Sequence, residues 1–596
     1  MYKLIHDLVQ ENRTTLIFTN TRSATERVVH YLKEKFPKDY TENIGAHHGS
    51  LSREHRLDLE QRMREGKLRV CVTSTSLELG IDIGYIDLVI LLGSPKSVAR
   101  CKQRLGRAGH KLHDKIKGRI IVLDRDDLVE CSLILKDVIE HKIDKIHIPK
   151  NPLDVLAQQI YGIAISSRIH IDDLYSLIKK SYPYKDLERK DFNSIISYLC
   201  GDYSSLEERN VYAKTWYDKE TGIIGKKGKL ARVLYMTNIG TIPDESFVQV
   251  KIQDQVIGKI DEGFLERLKK GDIFVLGGNT YKFLYSRGMT AQVASSIDRP
   301  PTVPSWFSEV LPLSFDLALE IQKFRKLMEQ RLKDKQNKTE ILEFINKYLY
   351  LDKNAAEAIY NYFNEQFLYK EIPHSNKIIV EHYYDHDKDL RYVVFHALFG
   401  RRVNDVLSRA LAFAISRLEH KDVEIGVDDN GFYISYDKKL NVMKAFNMIK
   451  SDELKKVMDL AIDQTEILRR RFRHCAARSL MILRTYKGRT KRVGRQQVSS
   501  SILMNAVKRI SMDFPILKEA RREVLEDLMD IDNSILILKN IEEGKIKIKE
   551  IDTDIPTPFA FNLVLQGHLD VLKVDDKIEF LRRMHKLVLA KISIKK

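Results

Sequence analysis

The chain has 596 residues, 43% of them hydrophobic, and a formal net charge of +17, enough apolar material for several cores and a surplus of cations suited to an acidic partner. Its five cysteines (71, 101, 131, 200, 475) lie far apart, which argues against a disulfide framework or a zinc ribbon. No apolar run reaches transmembrane length and no signal peptide opens the chain, so the expectation is a cytoplasmic protein without a membrane partner.

In chain order, TLIFTNTRS (Thr15–Ser23) is a short apolar, β-rich run ending in polar residues, a buried strand that delivers a polar tip. GAHHGSLSREHR (Gly45–Arg56) ends a second strand and opens a helix. RVCVTSTSLELGIDIGYIDLVILLG (Arg69–Gly93) reads as strand, polar loop, short helix, Gly-bounded turn and strand. Strands alternating with helices predict a parallel α/β sheet over residues 1–150, where ligands gather at the carboxyl ends of the strands. The polar clusters Thr19–Arg22, His47–Ser50, Thr73–Glu78 and Gln103–Arg107 all fall near such ends. The last belongs to QRLGRAGH (Gln103–His110), which sets Arg104 and Arg107 one helical turn apart between glycines. Paired guanidiniums suit the spread charge of a phosphoryl group in transfer. His48 and His110 have no carboxylate or cysteine at ligand spacing, so no metal site is expected.

Residues 151–230 change character. Three short helical patterns run from Pro152 to about Asn210, followed by the extended, basic TGIIGKKGKLARVLY, the pattern of a winged helix with Lys226, Lys227 and Lys229 near its wing. Such a unit either binds DNA or braces its neighbours. Alternating strands with glycine turns over Asn238–Ser296 predict a β-barrel-like part within 231–310. Prolines then stiffen the approach to Trp306, which either stacks on an unpaired base or plugs a seam between domains. The remainder of 231–596 reads as mixed and helical: a helical stretch at Glu340–Tyr369, and strands at Lys377–Tyr383 and Val423–Ser435. Between Ile467 and Arg495 lie eleven Lys or Arg and no acid, leaving a net +6 for the rest of the chain. That field favours a phosphate backbone. The alternative is pairing with acidic segments such as Glu519–Asp532.

The four polar clusters, in this order, resemble motifs IV to VI of the second RecA-like domain of superfamily 2 helicases: IFTNTRS as motif IV, HHGSLS as the loop after it, TSTSLELGIDIG as motif V and QRLGRAGH as motif VI. With IGTIPDE, PTVPSW, FGRRVND, RQQ and TPFAFNLVLQG, the whole chain resembles the large helicase-related (Lhr) family in its core form. His110 stands where most members carry a further motif VI arginine. The resemblance implies a RecA-like α/β domain, a winged helix and a large α+β C-terminal domain. It implies a 3′-to-5′ single-strand DNA translocase that uses ATP and Mg2+ and unwinds DNA or RNA–DNA duplexes in repair.

By position, Arg104 and Arg107 would face the ATP phosphates, and Gly80 and Asp82 would couple nucleotide to nucleic acid. Thr19, Asn20, Arg22, His48, Gly49, Ser50, Thr73, Ser74 and Thr75 would touch the tracking strand, and Trp306 would stack on a base. No GxxxxGK[ST] loop is present in these 596 residues, and no apolar strand ends in an Asp-Glu box of the DEAD or DEVH kind. The chain is therefore expected to carry the arginine side of an ATP site, to leave ATP and Mg2+ gripped mainly by a first RecA-like domain on a separate N-terminal chain or a missing segment, and to be inactive unaided. The alternatives are a non-catalytic nucleic-acid-binding remnant and part of an RNA helicase.

Overall fold

Five parallel strands open the chain: β1 (Thr15–Phe18), β2 (Ile44–His47), β3 (Val70–Thr73), β4 (Leu88–Leu92) and β5 (Gly118–Ile121), in the order β2-β3-β1-β4-β5. The computed structural model describes the chain apart from residues 50–52, 80–83, 110–115, 210, 244–246, 262–264, 266–267, 269, 277–278, 288, 296–310, 387–388, 421–422, 437–439, 487–488, 491–492, 569–573 and 596. Continuous apolar runs such as Thr15–Phe18 form buried parallel strands because both faces of the sheet are covered. Side chains alternate along each strand. Ile17, Val72 and Ile90 thus enter a core with helices Tyr2–Gln10 and Arg22–Lys35. Leu16, Phe18, Cys71 and Leu91 enter a second core on the opposite face.

That second core does not stop at the domain. Through Val129, Leu133 and Ile134 of helix Arg125–Ile139 it continues into Phe324, Ile341, Phe363 and Phe559 of the C-terminal region. One face of the parallel-sheet unit is therefore joined to residues that lie far along the chain, from Phe324 to Phe559.

The winged-helix expectation maps onto helices Leu153–Ser166, Ile171–Lys179 and Arg189–Cys200, with strands β6 (Ile169–His170), β7 (Thr215–Asp218) and β8 (Ile223–Lys226) in the order β6-β8-β7. Its core residues Leu156, Ile160, Phe192 and Ile195 share one apolar cluster with Phe472, Ile516 and Leu517. One side of the unit is thus packed against the C-terminal region, while Lys226, Lys227 and Lys229 stay exposed.

The barrel-like part expected over 231–310 is a five-stranded sheet, β9 (Phe247–Ile252), β10 (Gln255–Asp261), β11 (Ile273–Leu276), β12 (Asn279–Arg287) and β13 (Thr290–Ser295), ordered β10-β9-β13-β12-β11. Closing a barrel would require β10 to pair with β11, and no such ladder joins them among the described residues. Val248, Val250, Phe283 and Val293 give this sheet its own small core.

The C-terminal body is built on β14 (Lys377–Asp385), β15 (Leu390–His396), β16 (Glu424–Val427), β17 (Phe432–Tyr436) and, after the short ribbon β18 (Thr485–Tyr486) and β19 (Arg489–Thr490), β20 (Lys547–Thr553). Its order is β16-β17-β15-β14-β20, and β14 and β20 run parallel. The helical stretch expected at Glu340–Tyr369 is two helices, Lys338–Leu349 and Lys353–Tyr369; Asn337 and Glu340 form a capping box on the first.

Glu381 of β14 is fully buried. It bonds to His396 Nε2 at 2.8 Å and accepts from Thr553 Oγ1 at 2.9 Å, Thr557 N at 2.8 Å and Thr557 Oγ1 at 2.7 Å. Burial pushes this carboxyl's pKa up, but the bonds from His396 and Thr557 outweigh it and hold it below the ordinary glutamate value. A folded-state pKa below the unfolded one contributes stability that is full above the unfolded value, about 4.3, and lost as pH falls through the folded value. Thermal melts against pH should show the wild type losing Tm below about pH 4 more steeply than Glu381→Gln. Parallel curves would mean that the network does not govern the acid limb.

Candidate nucleotide and strand interface

The carboxyl ends of β1, β2 and β3 lie side by side, since His47 pairs with Thr73 and Thr73 with Phe18 in register. Thr19 N donates to Thr73 O at 2.8 Å, and Thr19 Oγ1 sits 2.8 Å from Thr25 Oγ1. Thr73 Oγ1 lies 3.1 Å from Ser76 Oγ. Thr19 and Thr73 are 1% and 0% exposed, so their hydroxyls hold the strand ends together from inside. Ser74 is also buried, while Gly49 and Thr75 are exposed. Arg22 opens the helix that Thr21 caps by accepting from Ala24 N.

The two adjacent histidines each face a glutamate. His47 lies 3.1 Å from Glu60 Oε1 and 2.8 Å from Ser76 Oγ, and burial lowers its pKa. His48, 5% exposed, lies 2.6 Å from Glu26.

The arginine segment departs from its sequence reading. Helix Val98–Leu105 is capped by Ser97 and ends at Gly106, whose added β-carbon would meet Lys102 O at 3.0 Å. Arg107 therefore lies past the helix, in a turn where its N bonds to Arg104 O at 3.1 Å, and the two guanidiniums do not share a helical face.

Arg104 is 1% exposed. Its Nε donates to Glu78 Oε2 at 3.0 Å and its Nη1 to Asn20 Oδ1 at 3.1 Å, with the guanidinium 5.3 Å from the centre of the Phe18 ring. Arg100 Nε reaches the other Glu78 oxygen at 3.5 Å. Burial lowers the pKa of Arg104 against the pull of Glu78. Arg104 thus ties the ends of β1 and β3 to the arginine helix, and the half-buried Arg107 is left at the rim. Ser50, Gly80, Asp82, His110 and Trp306 lie outside the described residues.

Several partners escaped the sequence reading. Glu78 sat inside the quoted loop without a role, and Ser94 and Lys96 follow β4 at the same edge of the sheet. Their position at a strand's carboxyl end was the available signal.

The basic segment Ile467–Arg495 is partly spent indoors. Arg471 lies 3.7 Å from Glu523, and Arg478 joins Asp154 (2.5 Å) and Glu523. This is pairing with the acidic segment, the alternative to a phosphate backbone. Arg473 and His474 are buried side by side at 3.1 Å, and burial with the surrounding arginines pushes the imidazole down to about 2. Asp154, Cys475 and Glu523 also converge closely enough for a metal, but Arg478 occupies their centre and also reaches Cys475 Sγ at 3.4 Å. Lys487, Lys491 and Arg492 lie outside the described residues.

Residues 1–111 match the helicase conserved C-terminal domain, 136–303 the winged helix domain of large helicase-related proteins, and 372–560 the DEAD/H associated domain. The chain is 56% identical over 593 residues to the ATP-dependent helicase Lhr-Core of Methanothermobacter thermautotrophicus, a match covering 99% of this chain and 69% of the relative. It is 47% identical to the Lhr-Core helicase of Saccharolobus solfataricus, over 99% of this chain and 68% of that protein. Among solved structures, Mycobacterium smegmatis helicase Lhr bound to ssDNA and AMP-PNP is similar with a TM-score of 0.73 at 25% identity, over 94% of this chain and 68% of that one. No described helix is long and apolar enough to cross a membrane.

Proposed function

Because the chain belongs to the Lhr-Core family of ATP-dependent helicases, we propose that it forms the arginine side of the ATP site and the strand-gripping body of a 3′-to-5′ single-strand DNA translocase. Its duplex targets are DNA and RNA–DNA hybrids, and its setting is repair. One observation carries this reading: the polar clusters after β1, β2 and β3 meet at one edge of the sheet, beside a turn that presents Arg107.

In this reading Arg107 faces the ATP phosphates, and Arg104 positions it from inside by locking Glu78 and Asn20. Bound ATP supplies the phosphoryl group whose transfer drives the motor. Developing negative charge on that group is what a rim guanidinium stabilises. Magnesium is assigned to the phosphate-gripping half, because the described carboxylates at this edge are already engaged: Glu78 by Arg104 and Arg100, Glu60 by His47 and Glu26 by His48. Gly49 and Thr75, together with Asn20, Arg22, His48, Ser50 and Ser74, track the strand through phosphate contacts. Thr19 and Thr73 shape that path through the backbone. Gly80 and Asp82 couple nucleotide to strand, and Trp306 stacks on a base.

The test is direct. The purified 596-residue chain should bind single-stranded oligonucleotides with strong salt dependence and show no DNA-stimulated ATP hydrolysis. Adding a matching first RecA-like domain should then restore hydrolysis and strand displacement. Vigorous hydrolysis by the chain alone, or no binding, would overturn the reading. Persistent inertness of the complemented assembly would favour the non-catalytic remnant, and displacement only of RNA strands from RNA would favour the RNA helicase.

A further inference from the structure

The segment between β4 and the arginine helix, Gly93–Ser97, is tied on two sides. Toward the arginines, Asn20 Nδ2 donates to Ser94 O at 2.7 Å, while Asn20 Oδ1 accepts from Arg104. Toward the sheet's outer helix, Ser94 Oγ bonds to Glu130 and accepts from Lys96 N at 3.0 Å.

Lys96 is the turning point. It is held at φ +63°, a left-handed conformation that a residue with a β-carbon adopts only where its surroundings fix it. Its Nζ, on a side chain 15% exposed, lies 2.9 Å from Glu130, 3.3 Å from Asp127 and 3.4 Å from Asp429. The first two belong to the RecA-like unit. Asp429 belongs to the C-terminal body, where its other oxygen accepts from Leu313 N at 3.0 Å and Arg401 N at 3.1 Å, the latter starting helix Arg401–Glu419.

A second strut runs alongside. Ser314 N donates to Lys96 O at 3.2 Å. Asp144 accepts from Ala99 N, in the first turn of the arginine helix, at 2.9 Å and from Ser314 Oγ at 2.6 Å. Ser314 in turn caps helix Phe315–Lys333. The start of the arginine helix thus rests on the starts of two long helices of the C-terminal body, through largely buried polar contacts that are strong and stiff when satisfied.

We propose that Lys96, paired with Asp429 across the domain boundary, is a positioning residue that transmits movement between the C-terminal body and the Arg104–Arg107 turn, and so sets how much strand displacement each ATP delivers. The proposal rests on the helicase reading above. Tightly packed units move as bodies, so a displacement of the C-terminal body reaches Lys96 undamped. From Lys96 it reaches Arg104 through Ser94 and Asn20, all main-chain or amide contacts of ordinary hydrogen-bond length.

Asp429→Asn is the discriminating variant. It keeps an oxygen for Leu313 N and Arg401 N and leaves Lys96 with Glu130 and Asp127, so only the cross-boundary ion pair is lost. In the complemented assembly, ATP hydrolysis should stay within about twofold while strand displacement per ATP falls about fivefold or more. In the 596-residue chain alone, amide exchange over Val98–Gly109 should quicken by about tenfold. If Asp429→Asn proves too unstable to purify, Ser314→Asn, which keeps a side-chain oxygen to cap helix Phe315–Lys333 and removes the hydroxyl contact to Asp144, is measured in the same two ways. Proportional loss of hydrolysis and displacement, or exchange that quickens only near Leu313 and Arg401, would overturn the joint. A wild-type assembly that fails to hydrolyse ATP would sink the helicase reading instead, and the exchange measurement would still judge Lys96.

Discussion

Replacing Arg107 with alanine is expected to cut DNA-stimulated ATP hydrolysis of the complemented assembly by about 10³–10⁵-fold while changing single-strand affinity less than about threefold. The reason is geometric. Arg107 stands past the end of its helix, in the turn closed by Gly106, half-buried at the edge where the strands end. In the proposed reading, a guanidinium so placed would act on charge that develops during phosphoryl transfer and would have little to do while the strand merely rests on the loops. Arg104→Ala should behave differently. It would leave Glu78 and Asn20 facing a buried gap, a loss of about 3–5 kcal/mol of stability, and lower the melting temperature of the RecA-like unit before any activity is measured. Steady-state hydrolysis, a binding titration and a melt on each variant separate the two roles. Equal loss of hydrolysis and binding in Arg107→Ala would return that arginine to a structural part.

The second large effect is expected at Arg478. This side chain, 11% exposed, lies between Asp154 at the start of helix Leu153–Ser166 and Glu523 of the C-terminal body. Asp154 and Glu523 are both buried. Arg478→Met would keep most of the volume and remove the cation, leaving buried Asp154 without its ion-pair partner and Glu523 with Arg471 at 3.7 Å. Removing one partner from a buried ionic network costs about 3–5 kcal/mol, so urea unfolding should shift by that amount. Adding Asp154→Asn to Arg478→Met should recover part of the loss, because the buried carboxylate that lost its cation is then neutral. A shift under about 1 kcal/mol would mean that water reaches the pair and that apolar packing alone seats the winged helix.

The sequence reading and the structure agree where contacts are local or strictly periodic. The apolar runs ending at Phe18, His47 and Thr73 are strands because a buried parallel strand needs just such a run, and their polar followers land at one edge because every strand of that sheet points the same way. The winged helix is legible for the same reason: three amphipathic helices and an extended basic stretch follow one another within eighty residues. Barrel closure is not legible in this way. Alternation along β9 to β13 reveals strands and a buried face but says nothing about whether the end strands meet.

By itself, then, the sequence determined the parallel RecA-like sheet, the order of its polar loops, the absence of a phosphate-gripping loop and the family to which the chain belongs. Spacing also put Arg104 and Arg107 together. Tertiary contacts alone set the two arginines apart, burying Arg104 fully and leaving Arg107 half-buried in the turn after the helix. That difference depends on Glu78 and Asn20, 26 and 84 positions from Arg104, and on a helix that ends at Leu105, two residues before Arg107. The tertiary structure likewise decided that part of the basic segment faces Asp154 and Glu523, and that Lys96 meets Asp429. Charge counts along a chain show how much field there is. Where that field is neutralised depends on which distant carboxylates the packed cores bring within reach, and burial then makes those few contacts strong.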